Sequence, residues 1–243
     1  SGGSEENISE QFTATGRDVN GGYAEYMIAH QDYAFQIPEV FSDSEAAPLL
    51  CAGSVGFRAL KLTGVMQGHR LGLTGFGGSA HIVLQLARFI YPAIQVYVFA
   101  RDTGQQQHAL DLGAEWAGST EAKPGVLLDA IIDTTPAWTP VIAAMENLRP
   151  GGRLVINAIR KENADLDALQ ALDYGRHLCV EKEIKTVANV TAEDIRHCLE
   201  IAARIPLRPS VQKYRFTDAN QALRDLKAGN VIGAKVLTVN TRE

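Results

Sequence analysis

The sequence predicts an α/β fold with a doubly wound parallel sheet, and three observations support this prediction. From residue 70 onward, short apolar strands alternate with segments of helical periodicity. Such alternation is typical of a parallel sheet that is covered by helices on both faces. The first strand ends in a glycine-rich turn, TGFGGSAH, that opens directly into a helical pattern. We therefore expect a βα domain in the middle of the chain.

The elements of this middle region follow one another in a regular order. Strands are predicted at Leu71–Thr74, Val96–Ala100, Ala130–Asp133, Arg153–Ala158 and Ile184–Ala188. Helical patterns lie between them, at Ser79–Ile90, Gln105–Leu112, Trp138–Leu148 and Leu166–Leu172. Because a helix separates each strand from the next, we expect parallel pairing through crossover connections.

The two ends of the chain do not show this alternation. Near the start, a turn at Asn20-Gly21-Gly22 precedes a strand predicted over 23–28, where apolar and polar residues alternate. A helix is then predicted from an N-cap at Asp43 or Ser44 to Gly64. The last fifty residues predict a helix over 191–205, a strand at 211–214, a helix over 217–229 and a strand at 234–239.

Composition narrows the class of protein. Of the 243 residues, 46% are hydrophobic and 21% are charged, which is ordinary for a globular protein, and the net charge of −5 gives no reason to expect nucleic acid. Polar residues interrupt every apolar run, so no membrane span is expected. Three widely separated cysteines argue against a disulfide framework and predict a reducing, cytoplasmic location.

The glycine turn carries the strongest functional signal. Gly75, Gly77 and Ala80 fit the pattern G-x-G-x-x-G/A, in which the glycines allow a tight turn and a close approach of a pyrophosphate. The N–H groups of Gly78 and Ser79, at the start of the next helix, would face the phosphates. The pattern predicts a Rossmann-type dinucleotide site, with a purely structural βα turn as the alternative.

The end of the second strand bears on the choice of cofactor. An acidic residue that holds the adenosine ribose is expected there, but the strand IQVYVFARD places Ala100 and Arg101 at that position. A small residue followed by arginine suits a 2′-phosphate, because guanidinium binds phosphate in a bidentate manner. This pattern favours NADP. The alternative is that Asp102 serves the ribose of NAD and that Arg101 is a solvated loop residue.

Several phrases together extend the signal over nearly the whole chain. NGGYAEYMIA, EAAPLLCAGSVGFRALKLTGV, GFGGSAHIVLQLAR, LDLGAEWAG and LRPGGRLVINAI resemble, in order and spacing, the zinc-dependent medium-chain alcohol dehydrogenases. LDYGRHLCVEKEIKTVANVTAEDI and ALRDLKAGNVIGAKVL resemble one bacterial branch of that family. The resemblance implies a Rossmann domain at 54–190, flanked by parts of a GroES-like β catalytic domain at 1–53 and 191–243.

The resemblance also implies a chemistry. Members of the family transfer a hydride between a small alcohol, or its aldehyde or ketone, and NAD or NADP, with zinc as Lewis acid. Cys51 matches a catalytic zinc ligand of the family, whereas by itself a cysteine in such a setting is more often a small buried hydrophobe. Ala158 matches a position near the nicotinamide. A homo-oligomer is implied as well.

The chain also departs from the family pattern. Ser1 and Ser9 stand where two cysteines of the structural zinc would be, so that zinc is predicted absent. Relative to the family pattern, the sequence lacks about a hundred residues before Ser1. In the family, these residues include a catalytic Cys, a catalytic His and the proton-relay hydroxyl. The chain is therefore expected to be catalytically incomplete, and no catalytic residue can be assigned.

Two further departures from the family pattern concern the cofactor. Asn157 and Ala158 stand where the family usually has a glycine, and Lys235 stands where an arginine often reaches the cofactor phosphate. Lys235 either substitutes for that arginine or is a strand-surface residue.

Three alternative functions remain open. They are a dinucleotide-binding module without turnover, a zinc-free reductase of the quinone reductase type, and a subunit that needs another chain to complete its site.

Overall fold

The centre of the molecule is a single parallel sheet of six strands. The computed structural model describes residues 6–205, 207–228 and 233–239. The strands are β1 (Arg70–Thr74), β2 (Gln95–Phe99), β3 (Trp116–Gly118), β4 (Leu128–Asp133), β5 (Leu148–Ile156) and β6 (Glu183–Thr186). Their order is β3-β2-β1-β4-β5-β6, and every pairing is parallel. This confirms the predicted Rossmann-type sheet.

The strand order places a switch point at the centre of the sheet. From β1 the chain proceeds outward through β2 to β3, then returns to β4 on the other side of β1 and proceeds outward to β6. The crossovers on either side of β1 therefore diverge, and a crevice opens beyond the carboxyl ends of β1 and β4. Ligands of such sheets bind in this crevice.

Helices cover both faces of the sheet and continue at both ends of the chain. They are α1 (Asp43–Pro48), α2 (Ser54–Thr63), α3 (Ala80–Ile90), α4 (Thr103–Asp111), α5 (Thr139–Asn147), α6 (Tyr174–His177), α7 (Ala192–Arg204) and α8 (Ala219–Lys227). Short 3₁₀ turns lie at Glu6–Ile8, Gln31–Tyr33, Leu166–Ala171 and Phe216–Asp218. Near the C-terminus, β7 (Val211–Arg215) and β8 (Ala234–Thr238) form a separate parallel pair.

The apolar side chains of the strands point alternately to the two faces of the sheet. In β4, Ala130 and Ile132 belong to one buried cluster, whereas Ile131 belongs to the cluster on the opposite face. A third cluster joins α2 and α3 to α7 through Phe57, Leu86 and their neighbours. The C-terminal region is therefore packed onto the helix layer of the central sheet. The predicted domain boundaries remain predictions.

The predicted strand at 23–28 does not form. Residues 23–30 have no strand partner among the described residues, and the side chains of Tyr26 and Ile28 are 89% and 96% exposed. Alternation of apolar and polar residues favours a strand only where a sheet edge and an apolar face are available. In the described part of the chain this segment pairs with no strand, and its large apolar side chains stay exposed.

The helix predicted up to Gly64 begins at a different N-cap and is interrupted by a π-helical turn. Its N-cap is Ser42, which forms a capping box with Glu45, and neither Asp43 nor Ser44 is the cap. Pro48 has no backbone N–H to continue the ladder, and the chain widens into a π-helical turn at Leu49–Gly53 before α2 begins. This turn carries Cys51.

Smaller differences concern element ends. The prediction missed β3 and α6, Leu166–Ala171 is a 3₁₀ helix, and β5 begins at Leu148. For the last helix Asp218 is the N-cap, and the predicted stop at Gly229 lies outside the described residues.

Within the described part, no helix has the length and apolar character needed to cross a bilayer.

Candidate functional site

The turn after β1 requires glycine at its first position. Gly75 has a φ of +76°, and a Cβ built on it would lie 2.8 Å from Thr134 Oγ1 and 3.0 Å from Thr135 Cγ2. Both the left-handed backbone and the close approach of the segment after β4 exclude a larger residue without a rearrangement. Gly75 therefore serves the fold of the turn.

The next two glycines have a different environment. A Cβ on Gly77 would meet no atom of the described residues within 4 Å, so within this part of the chain the position opens onto free space. The N–H groups of Gly77 and Gly78 have no acceptor among the described residues. Two unpaired donors beside the start of α3, at the switch point of the sheet, form a ready site for an anionic group.

Ser79 occupies the N-cap position of α3 but does not cap it. Its hydroxyl donates to the Ala52 carbonyl at 2.8 Å and accepts from Asn157 Nδ2 at 3.1 Å. The first turn of α3 thus keeps its N–H groups free of side-chain capping by Ser79. The same hydroxyl connects the glycine turn to the end of β5 and to the π-helical turn next to Cys51.

Ala100 and Arg101 lie at the carboxyl end of β2, as expected. Ala100 is buried and its N–H donates to Gly118, whereas Arg101 is exposed and has no ion-pair partner among the described residues. Asp102 is the N-cap of α4, and its Oδ1 accepts from the Gln105 N–H at 2.9 Å. One oxygen of this carboxylate is therefore already engaged in capping.

Asn157 and Ala158 follow β5 directly and lie beside the same crevice. The Asn157 N–H donates to the Asp133 carbonyl at 2.7 Å, and Ala158 packs against the apolar cluster of α5 and β5. Asn157 and Ala158 stand where the family pattern usually has a glycine, and the Asn157 side chain donates to the Ser79 hydroxyl. The departure from the pattern thus supplies a contact to the glycine turn.

His81 joins the glycine turn to the C-terminal region. Its ring is buried, with Nδ1 2.9 Å from the Gly77 carbonyl, and Nε2 accepts from the Ser210 N–H at 3.2 Å. These two partners require a neutral ring with the proton on Nδ1. Burial lowers the pKa of His81, with His108 adding to the effect and the Gly77 carbonyl opposing it. The histidine fastens the segment before β7 to the turn.

Two buried charges that the sequence did not predict adjoin the crevice. Asp133, at the end of β4, and Lys161, after β5, form an ion pair in which the aspartate is 0% exposed. The available signal was a charged residue, Asp133, directly after the three apolar residues that precede it in β4. Its lysine partner lies too far along the chain for a local pattern to reveal.

Cys51 lies on the π-helical turn and is exposed, although desolvation by nearby atoms raises the pKa of its thiol. Among the described residues, no three His, Cys, Asp or Glu side chains are grouped as a metal site requires. A single thiolate is too few ligands for a catalytic zinc, so Cys51 alone does not fit this ion. Ser9 is half-buried, and Ser1 lies outside the described residues.

Lys235 is engaged on the surface of the small C-terminal sheet. Its ammonium donates to Gln212 Oε1 at 2.7 Å and to the Tyr214 hydroxyl at 2.9 Å, both on β7. It also lies 5.1 Å from the centre of the Tyr214 ring. These contacts favour the interpretation of Lys235 as a strand-surface residue over a cofactor ligand.

Comparison with curated proteins identifies the family. The "Probable alcohol dehydrogenase AdhA" of Mycobacterium tuberculosis is 39% identical over 234 residues, a match that covers 96% of this chain and 66% of the relative. The chain belongs to the medium-chain alcohol dehydrogenase family. An alcohol dehydrogenase of Geobacillus stearothermophilus is 29% identical over 232 residues, covering 91% of this chain and 66% of the relative. This member of the alcohol dehydrogenase family thus spans slightly less than two thirds of the length of these two relatives.

Solved structures show the same fold. The alcohol dehydrogenase of the archaeon Aeropyrum pernix superimposes with a TM-score of 0.84 at 23% identity, over 96% of this chain and 69% of that chain. Acetophenone reductase from Geotrichum candidum in complex with NAD gives a TM-score of 0.83 at 19% identity, over 96% and 66% of the two chains. CAD from Helicobacter pylori complexed with NADP(H) gives a TM-score of 0.75 at 20% identity, over 89% of this chain and 61% of that chain. No protein-family model matches the chain.

Proposed function

We propose that this chain binds NADP(H) at the Gly75–Ser79 turn and forms the cofactor-binding part of an alcohol dehydrogenase. The observation that carries the proposal is the pair of unpaired N–H groups at Gly77 and Gly78, beside the start of α3 at the switch point of the sheet. The enzyme would transfer a hydride between a small alcohol, with its aldehyde or ketone, and the nicotinamide. The protein supplies orientation and charge for this transfer.

The charges at the end of β2 support NADP(H) over NAD(H). Asp102 caps α4 with one oxygen, whereas the exposed guanidinium of Arg101 is available to a phosphate. Arginine can bind the 2′-phosphate through two parallel hydrogen bonds. Similar folds have been solved with either cofactor, since the Geotrichum candidum enzyme is in complex with NAD and the Helicobacter pylori protein is complexed with NADP(H).

Replacing Arg101 with alanine should weaken NADPH binding by about tenfold or more and change NADH binding by less than about twofold. The reason is that only NADPH carries the phosphate that the guanidinium would hold. Titration calorimetry with both cofactors measures the difference. Arg101→Lys is the matched control, because it keeps the charge and loses the planar fork, and it should give an intermediate affinity. Equal weakening of both cofactors in Arg101→Ala would refute the role of Arg101.

One observation favours a second candidate, a dinucleotide-binding module without turnover. Cys51 is isolated from other metal-ligating side chains in the described part of the chain, and a single thiolate is too few ligands for a catalytic zinc. For the 243-residue chain we expect well under one tightly held zinc by elemental analysis. We also expect no oxidation of simple alcohols in the presence of NADP and added zinc. Stoichiometric zinc together with turnover would disprove this candidate.

The remaining parts of the proposal follow from family membership. We propose that residues 1–53 and 191–243 belong to a GroES-like catalytic domain and that zinc serves the complete family enzyme. A homo-oligomer in the cytoplasm is part of the same proposal. The zinc-free reductase alternative is disfavoured by Cys51, which keeps the family position of a zinc ligand.

A further inference from the structure

The topology determines where the two halves of a bound dinucleotide would lie. With the pyrophosphate at the glycine turn after β1, the adenosine half extends toward β2, where Ala100 and Arg101 lie. The nicotinamide half must then lie on the other side of β1, beyond the ends of β4 and β5. The segments that follow those two strands, 134–138 and 157–161, form that part of the crevice.

The ion pair between Asp133 and Lys161 is buried beneath these two segments. The Asp133 side chain is 0% exposed and that of Lys161 is 11% exposed. Oδ1 of Asp133 accepts from the hydroxyls of Thr74 at 2.6 Å and Thr135 at 2.8 Å, and Oδ2 faces Lys161. Burying two charges is costly unless their partners are all in place, as they are here.

Lys161 uses its remaining donors on the backbone of the other segment. Its ammonium donates to the carbonyls of Thr135 and Ala137, each at 2.8 Å, so all three of its donors have protein acceptors. The neighbouring Glu162 N–H donates to the Pro136 carbonyl at 2.7 Å. Residues 161 and 162 therefore donate four hydrogen bonds to the end of β4 and the segment after it, and Lys161 provides three of them.

The same network reaches the glycine turn. Thr74, which donates to Asp133, immediately precedes Gly75, and the Thr134 hydroxyl donates to the Thr74 carbonyl at 2.9 Å. Thr134 and Thr135 are also the residues that a Cβ on Gly75 would meet. A change in the ion pair would therefore be transmitted to the segments on the nicotinamide side, whereas among the described residues neither Asp133 nor Lys161 forms a hydrogen bond with Ala100 or Arg101.

We propose that Lys161 is a positioning residue for the nicotinamide half of the cofactor. Its ammonium neutralises Asp133 and holds the carbonyls of Thr135 and Ala137 in place, which fixes the shape of the pocket wall that the nicotinamide contacts. The inference rests on the proposed function, because it requires a dinucleotide at the Gly75–Ser79 turn. It differs from a general stabilising role in that it affects only one half of the ligand.

The experiment compares two ligands on the Lys161→Met variant by titration calorimetry. NADPH occupies both halves of the crevice, whereas adenosine 2′,5′-bisphosphate occupies the adenosine half alone. We expect the NADPH dissociation constant to rise about tenfold or more and that of the bisphosphate to stay within about twofold of wild type. Lys185→Met, which removes an exposed lysine of β6, is the matched control and should change neither constant.

A second variant preserves the test if the single substitution does not fold. Asp133→Asn combined with Lys161→Met removes the unpaired buried charge and keeps an acceptor for Thr74, and it should show the same selective loss of NADPH affinity. Equal weakening of both ligands, or unchanged NADPH affinity, overturns the inference and leaves the proposed function standing. A wild-type chain that binds neither ligand overturns the proposed function and the inference with it.

Discussion

Replacing Gly77 with valine should abolish measurable NADPH binding while the chain remains folded. The position has an ordinary backbone conformation, and a Cβ there would meet no atom of the described residues within 4 Å, so this part of the chain accommodates the side chain. The valine methyl groups would instead fill the space that a pyrophosphate needs in order to reach the N–H groups of Gly77 and Gly78. Fluorescence or calorimetric titration with NADPH measures the loss, and circular dichroism verifies the fold.

The matched control is Gly22→Val, at an exposed glycine with an ordinary φ in the N-terminal segment. It should leave both the fold and NADPH binding unchanged. Gly75→Val provides the contrast, because its left-handed φ and its contact with Thr134 predict loss of stability as well as of binding. If Gly77→Val binds NADPH with wild-type affinity, the turn is only structural.

Replacing Asp194 with alanine should lower the free energy of unfolding by about 3–5 kcal/mol, the usual result of breaking a buried ion pair. Asp194 is 0% exposed and accepts from Arg58 at 2.6 Å and from Lys61 at 2.7 Å, which joins α7 to α2. It also completes the capping box with Thr191 at the start of α7. Its removal leaves the guanidinium of Arg58, only 16% exposed, without its ionic partner. Urea denaturation measures the change.

Asp167→Ala is the control for this substitution. Asp167 is an exposed aspartate in the 3₁₀ helix at Leu166–Ala171, and its replacement should change the free energy of unfolding by less than about 0.5 kcal/mol. An Asp194→Ala variant that is as stable as this control would contradict the structural role assigned to the ion pairs.

The same carboxylate predicts a pH dependence. Burial raises the pKa of Asp194, but hydrogen bonds from Lys61, Arg58 and Thr191 outweigh burial and lower it from 3.8 to about 2. Because the pKa is lower in the folded state, the contribution of this carboxylate to the free energy of unfolding is fully present above pH 3.8 and is lost as the pH falls toward 2. This contribution is about 2 kcal/mol. Asp194→Asn should flatten the acid limb of the stability profile, and an unchanged limb would contradict this assignment.

The central sheet and the glycine turn could be predicted from the sequence because their signals are local. The strand β1, the turn and the helix α3 follow one another within about twenty residues, and each is recognised by a short pattern. The positions of Ala100 and Arg101 follow from the same strand-to-helix rhythm. The three-residue strand β3 is too short to give a pattern, and it was missed.

What could not be predicted depends on contacts between distant residues. The segment 23–28 has the alternation of a strand, but whether it pairs depends on a neighbour that the pattern does not specify. The pairing of Asp133 with Lys161 spans 28 positions, and that of Arg58 with Asp194 spans 136. The way in which Ser79 bonds to Ala52 and Asn157 also requires three separate elements to be assembled first.

The most direct test of the account is a calorimetric titration of the wild-type chain with NADPH and, separately, with NADH. The account predicts saturable one-to-one binding of NADPH, with NADH binding weaker by about tenfold or more because it lacks the phosphate for Arg101. No binding of either cofactor would contradict the proposed dinucleotide site. Tighter binding of NADH than of NADPH would contradict the role given to Arg101.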